Sequence, residues 1–172
     1  MTLEKFMAEH LPAIERELEQ SLPPDSAYPE KLHQAMRYST LGGGKRLRGL
    51  LVVAAAKMAA KDRFPEVRPA AYRLAAAVEM LHAYSLIHDD LPCMDDDDFR
   101  RGKPSNHKVF GEAVAVLAGD ALLTESFALL GQLQDLGITV EVVVTIIREI
   151  AYAGGSRGLV GGQAVDLDGE GV

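Results

Sequence analysis

Apolar residues at Leu3, Phe6, Met7, Leu11, Ile14 and Leu18 recur three and four apart, the spacing that places side chains on one face of a helix. An amphipathic helix is therefore predicted over residues 3–20. Pro23, Pro24, Asp25 and Pro29 mark Ser21 to Pro29 as a connection. A second helix is predicted from Glu30 to Leu41, stopped by Gly42-Gly43-Gly44. Residues 46–60, rich in Leu, Val and Ala, read as a largely buried helix. Arg63 to Pro69 reads as a second loop, and residues 70–91 as a long Ala-rich helix ending near Pro92. Residues 112–131 share that character, and Ala113, Ala115, Ala118, Gly119 and Ala121 are small enough for another helix to approach closely.

Ile138 to Ile147 is β-branched enough to be a strand by propensity. Val140, Val143, Val144, Ile147 and Ala151 nevertheless keep helical spacing, so helix is predicted there too. No other stretch alternates with period two. The expected fold class is all-α, built from long helices. Gly154-Gly155 and Gly161-Gly162 punctuate the last stretch, and the sequence stops at Val172 without a helix stop or polar tail, which reads as a boundary of coverage.

The 172 residues suit one domain, or part of a larger one, with a substantial core. A 48% apolar fraction excludes a wholly disordered chain. The single cysteine, Cys93, excludes an intramolecular disulfide and a Cys-cluster zinc site, and fits a reducing compartment. No signal peptide is read at the start, and the Leu50 to Ala56 run is too short to span a bilayer. A cytoplasmic protein with no membrane span is expected. Charge changes the picture more. Six of the ten residues from Asp89 to Asp98 are Asp, so they account for all but one unit of the net charge of −7. A nucleic-acid binder would show a basic surplus instead.

Six crowded carboxylates repel one another and invite protonation or a bound cation. They also sit at the C-terminal end of an apolar helix, where the helix dipole disfavours negative charge. A cation reverses the sign of that interaction. Asp oxygen is a hard donor, suited to Mg²⁺ or Ca²⁺. An EF-hand is excluded, because counting from Asp95 puts Arg100 where that loop needs Gly. Mg²⁺ prefers one or two carboxylates together with substrate phosphates, which fits the adjacent Arg100 and Arg101. Pro92 should break the helix and could return Asp95 toward Asp89. Asp96, seven steps on, shares the face of Asp89 on a straight helix. Geometry alone leaves the two open.

Gly42-Gly43-Gly44-Lys45-Arg46-Leu47-Arg48 is the second candidate. A Gly run opening a helix exposes backbone N–H groups and admits an anion closely. Lys45 and Arg48, three apart, are expected on one face, clamping a phosphate. This is not a nucleotide P-loop, since Arg46 stands where Ser or Thr is needed. His82 lies two helical turns before Asp89 on the same face, with Ser85 between them. His88 is read as structural, His107 and Lys108 as further anion contacts, and Gln163 and Asp166 as a polar patch facing the same cavity. Met80 and Met94 are read as core filling.

Together these segments resemble the trans-isoprenyl (polyprenyl) diphosphate synthase family. The match runs over about residues 30 to 168. It rests on GGGKRLR at 42–48, HAYSLIHDDLPCMDDDDFRRGKPSNHKVFGE at 82–112, AGDALL at 118–123 and GGQAVDL at 161–167. The Asp stretch with its trailing Arg pair is similar to that family's first aspartate-rich motif, in the longer form with four residues between Asp90 and Asp95.

The resemblance implies an antiparallel bundle of helices around a central cavity, usually in a homodimer, with residues 1–172 the N-terminal part of one such domain. It implies Mg²⁺-dependent joining of an allylic diphosphate (dimethylallyl or geranyl) to isopentenyl diphosphate, giving farnesyl diphosphate and pyrophosphate. By position, Asp89 and Asp95 would hold Mg²⁺ and Arg100 the allylic diphosphate. Lys45, Arg48, His82 and Arg101 would hold isopentenyl diphosphate. Tyr84 and Ser85 stand where the family sets product length, and a bulky Tyr84 implies the short, farnesyl product. The family's second aspartate-rich motif, with its nearby Lys and Gln, is not among these 172 residues, which leaves one metal-binding wall without its partner. The alternatives are a geranylgeranyl diphosphate synthase, a non-catalytic subunit of such an enzyme, a terpene cyclase (disfavoured by the Gly-Lys-Arg turn) and a plain acidic cation buffer.

Overall fold

A computed structural model describes residues 2–169. It is all-α apart from one short hairpin. The first helix, α1 (Leu3–Ser21), is capped by the Thr2 hydroxyl, which accepts from the Lys5 N–H at 3.4 Å, and buries His10, Ile14 and Leu18. Ile14 and Leu18 belong to the stripe read from the sequence, whose first member, Leu3, is exposed, and His10 fills a buried place the apolar pattern did not assign. Next come α2 (Glu30–Thr40) and α3 (Leu47–Ala60).

The long central helix α4 (Phe64–Asp89) corrects the loop expected at Arg63 to Pro69. Pro65 falls in its first turn and Pro69 only four residues later. Proline near a helix start forfeits few bonds, because the first N–H groups lack intrahelical partners anyway. Pro65 is thus an entry signal, whereas Pro69 lies inside the helix and gives up the one bond its N–H would have made to the Pro65 carbonyl. Ala75, Ala76, Ala77, Met80 and Ile87 are all essentially buried, so α4 is covered on more than one side, by α6 (Glu112–Gly131), α3 and α1. Its alanines allow that approach.

The apolar stretch Glu112–Leu136 is long and apolar enough to cross a membrane by length and composition. Ala115, Ala118, Leu122, Leu129 and Leu130 within it are buried against the neighbouring helices, as a core helix requires. Gly119 sets how closely α6 meets α4. A β-carbon there would run into the His88 ring, whose Nε2 lies 3.0 Å from the Val116 carbonyl and whose ring packs edge-on against Tyr84 at 5.4 Å. Gly119→Ala gains up to about 1 kcal/mol of helix propensity. It forfeits the hydrogen bond and the ring contact, each worth roughly 0.5–1.5 kcal/mol. Urea unfolding is expected to show a net loss of about 1 kcal/mol, where propensity alone predicts a gain.

After a 3₁₀ turn at Gln132–Leu136 come α7 (Val140–Gly154) and α8 (Leu159–Gly169). Helical spacing overrides strand propensity in α7, with Val143 buried and Ile146, Ile147 and Ile150 packed on the core. The sequence pattern misses α8, because Gly161-Gly162 reads as punctuation but lies inside the helix. It also misses the short helix α5 (Asn106–Phe110) and the hairpin of β1 (Phe99–Arg100) with β2 (Lys103–Pro104). These strands pair antiparallel, Phe99 opposite Pro104 and Arg100 opposite Lys103.

Candidate active site

The α4 helix ends at Asp89, and the chain then curls back on itself. The Met94 N–H donates to the Leu91 carbonyl at 2.8 Å, the Asp96 N–H to the same carbonyl at 3.1 Å, and the Asp95 N–H to the Asp89 carbonyl at 2.9 Å. Pro92, which has no N–H to donate, stands inside this curl. The break therefore returns the Asp95 backbone to Asp89. Asp96 takes the left-handed region (φ 50°).

Arg101 (φ 54°) and Gly102 (φ 77°) make the tight turn of the hairpin, as two-residue hairpin loops with positive φ do. That turn sends its two arginines to different places. Arg100 donates through Nε to Asp90 Oδ1 at 2.6 Å, and its Nη2 lies 3.5 Å from Asp89 Oδ2 and 3.7 Å from Asp97 Oδ2. Arg101 reaches the other way and donates through Nη1 to the Gly43 carbonyl. Gly44, at φ 144°, passes so close beneath Arg101 that a β-carbon would strike its guanidinium. The hairpin thus ties the acidic tip to the Gly-rich loop.

Lys45 and Arg48 do not share a helix face as expected. Arg46 adopts left-handed angles (φ 47°, ψ 38°) and α3 begins only at Leu47, so Lys45 lies outside the helix. Both side chains still line one cavity of about 600 Å³, together with His82, Glu79 and Arg101. Arg48 Nη1 lies 3.2 Å from His82 Nε2. Burial, and then the positive charges of Arg48, Arg101, Arg100 and Arg46, push the His82 ring down to about 4. The neutral ring can accept from Arg48 at neutral pH.

Unfolded His titrates near 6.5, so the unfolded chain gains the proton first, and stability is lost as pH falls from about 6.5 toward 4. A bound diphosphate cancels the positive field that holds His82 neutral. Ring NMR should give a His82 midpoint near 4 without ligand and a clear upward move with pyrophosphate. A midpoint near 6.5 in the ligand-free chain contradicts this electrostatic account.

A second cavity of about 480 Å³ adjoins the first, since Arg48 and His82 line both. Tyr84, Ser85, Met94 and Leu159 contribute to its wall, with Asp89 at the same opening. Tyr84 is buried, and the Ser85 hydroxyl donates to the His82 carbonyl at 2.9 Å. Gln163, on α8, donates through Nε2 to Asp89 Oδ1 at 2.8 Å. Asp166 is exposed and does not line the cavity. His107 and Lys108 also stay away from it. The His107 ring is buried beside Ser105 Oγ at 3.2 Å, and Lys108 pairs with Asp98 at 2.6 Å.

Burial raises the Asp89 carboxyl above the ordinary carboxylate value, and Asp95 raises it further. A carboxyl whose charge is disfavoured by burial and by a neighbouring acid suits a cation. Among the described residues no group of three or more His, Cys, Asp or Glu could hold a metal ion alone. Two hard oxygen donors that leave room for phosphate oxygens match the coordination habit of Mg²⁺, so Asp89 and Asp95 fit that ion.

Residues 29–171 match the sequence model of the family described as Polyprenyl synthetase. The chain belongs to that family. A farnesyl diphosphate synthase of Geobacillus stearothermophilus is 47% identical over 99% of this chain and 56% of its own length. A chloroplastic geranylgeranyl pyrophosphate synthase of Catharanthus roseus is 52% identical over 84% of this chain and 39% of its own length. A solved FPP/GFPP synthase from Zymomonas mobilis superposes with a TM-score of 0.89 at 45% identity, covering 98% of this chain and 58% of that one. This polyprenyl synthetase chain thus spans between 39% and 58% of the length of these relatives. The sequence pattern singled out neither Asp90, which holds Arg100, nor Glu79, which lines the basic cavity. Both are buried carboxylates. The one sequence signal for Glu79 is that it stands as a lone charge in the otherwise apolar run from Leu74 to Leu81 on α4.

Proposed function

We propose that these residues are the first part of a single helical domain of a prenyltransferase, acting in the cytoplasm as a homodimer. It joins an allylic diphosphate to isopentenyl diphosphate with Mg²⁺ and releases farnesyl diphosphate and pyrophosphate. The observation that carries this reading is the pair of adjoining cavities, one basic and one largely apolar, which share Arg48 and His82, with Asp89 on the wall of the apolar one and Asp95 folded back onto the Asp89 carbonyl.

Asp89 and Asp95 would hold Mg²⁺, which when bound neutralises diphosphate charge and so favours departure of pyrophosphate. Arg100, fixed by the buried Asp90, presents its guanidinium to the same leaving group, where charge develops in the transition state. Lys45, Arg48, His82 and Arg101 receive the second diphosphate in the basic cavity. Tyr84, Met94 and Leu159 line an apolar wall that keeps water from the allylic cation. The double bond of isopentenyl diphosphate attacks that cation, and loss of a proton completes a chain five carbons longer. No protein nucleophile is needed.

The test is an incubation of the full-length protein with radiolabelled isopentenyl diphosphate, geranyl diphosphate and Mg²⁺. A labelled C15 diphosphate is expected, and absence of elongation defeats the reading. A C20 product from geranyl diphosphate is the second outcome, favoured by the 52% identity to the Catharanthus roseus relative. Tyr84, Ser85 and the length of the apolar cavity bear on that choice. Tyr84→Ala opens the buried end beside His88, so chromatography should show longer products. An unchanged distribution removes Tyr84 from chain-length control.

A further inference from the structure

The N-terminus of α3 has no side-chain cap of its own, because Arg46 at that position offers none. Its third N–H, from Gly49, instead donates to Glu79 Oε1 on α4 at 2.8 Å, in a fully buried bond. Helix starts leave such N–H groups without intrahelical partners, and a carboxylate there also complements the positive end of the helix dipole. A residue thirty positions away therefore performs the capping.

That bond is one of two cross-links between the same pair of helical turns. The other is Arg48 Nη1 to His82 Nε2 at 3.2 Å. Gly49 follows Arg48 directly, and Glu79 stands one turn before His82 on α4, so the two bonds fix Arg48 against His82. Gly49 permits this approach, since a β-carbon there would meet Glu79 Cγ at 3.3 Å and Ala75 Cβ at 3.4 Å. The second Glu79 oxygen, Oε2, lies 3.9 Å from Arg46 Nη1. Arg46 is itself held by Glu15, at 2.7 and 3.2 Å, and by the Thr40 carbonyl at 2.7 Å. Its left-handed backbone sets where Lys45 leaves α3. Lys45, Arg48, His82 and Glu79 line the same basic cavity.

We propose that Glu79 is a positioning residue for the isopentenyl diphosphate site: its carboxylate caps α3 from α4 and thereby holds Arg48 in register with His82. The proposal rests on the assignment of the basic cavity to that substrate. It requires the reach of the side chain more than its charge, because Arg46 keeps its bidentate partner Glu15 when Glu79 is neutral.

Three variants of the full-length protein separate these properties. Glu79→Asp keeps the charge but is one methylene too short for the Gly49 N–H. Glu79→Gln keeps the reach and an acceptor oxygen. Glu79→Ala loses both. Loss of a hydrogen bond to a charged group corresponds to roughly 10–150-fold in an equilibrium constant. Glu79→Asp and Glu79→Ala are expected to raise the KM for isopentenyl diphosphate at least about tenfold, with kcat and the allylic KM within about threefold of wild type. Glu79→Gln is expected to stay within about threefold on all parameters. Should Glu79→Ala fail to fold, Glu79→Asp decides. An isopentenyl KM within twofold of wild type in Glu79→Asp overturns the proposal. So does a uniform fall in kcat with the KM values unchanged, or a defect in Glu79→Gln equal to that in Glu79→Asp. Failure of the underlying assignment is distinguishable, because Lys45→Ala and Arg48→Ala would then also leave the isopentenyl KM unchanged.

Discussion

Asp89→Asn is expected to lower kcat for prenyl transfer by about 10³-fold or more in the full-length protein, while the KM for isopentenyl diphosphate stays within about threefold. The substitution preserves the shape of the side chain and an acceptor for Gln163, whose Nε2 lies 2.8 Å from Oδ1. It removes one negative charge from the place where the curl brings Asp95 back to the end of α4. Loss of a single preorganised electrostatic contact commonly costs 10²–10³ in rate, and a weakened metal contributes several kcal/mol beyond that. Arg100 is held separately by Asp90 at 2.6 Å, so its position should survive. Single-turnover measurements at saturating Mg²⁺ isolate the chemical step. A kcat within tenfold of wild type means that Asp89 does not act on the leaving group.

Arg48→Ala is expected to produce the opposite signature, a KM for isopentenyl diphosphate raised roughly 10–150-fold, as loss of a charge-assisted contact predicts. The change in kcat should be small. The substitution also removes from His82 the first of the positive charges that depress its titration. The ring midpoint should therefore rise above about 4 in the same variant, giving a second readout independent of turnover. An unchanged KM places the second diphosphate outside the basic cavity. Together, the Asp89 and Arg48 variants assign leaving-group chemistry and second-substrate binding to different ends of one opening.

Much of this arrangement was legible in the amino-acid pattern, for identifiable reasons. The α1 stripe survives because Ile14 and Leu18 pack where their spacing puts them. In α7 the helical period outweighs the β-branched content, since burial of Val143 and its neighbours acts on a face and not on single residues. The Asp stretch announced itself by charge density. What stayed hidden depended on contacts distant in sequence or on backbone detail. Pro65 sits in the first turn of α4 and Pro69 inside it, while the same pair reads equally well as a helix stop, so pattern alone does not decide that. The left-handed Arg46 separates Lys45 from the helix that carries Arg48, although their three-residue spacing resembles a shared face. The Arg101-Gly102 turn divides two adjacent arginines between Asp90 and Gly43. Glu79 caps a helix thirty residues away, which no local motif encodes. Gly161-Gly162 lies within α8, the short helix that brings Gln163 to Asp89.

The leaving-group chemistry assigned above depends on the folded-back acidic end of α4 gathering a divalent cation and the departing diphosphate into one assembly. The most direct measurement is a crystal structure of the full-length protein with Mn²⁺, as an anomalous substitute for Mg²⁺, and a thio-substituted allylic diphosphate that resists ionisation. The account predicts an anomalous peak within coordinating distance of carboxylate oxygens of Asp89 and Asp95, with the diphosphate beside it in contact with Arg100. Metal and diphosphate bound elsewhere, with Asp89 and Asp95 touching neither, would contradict it.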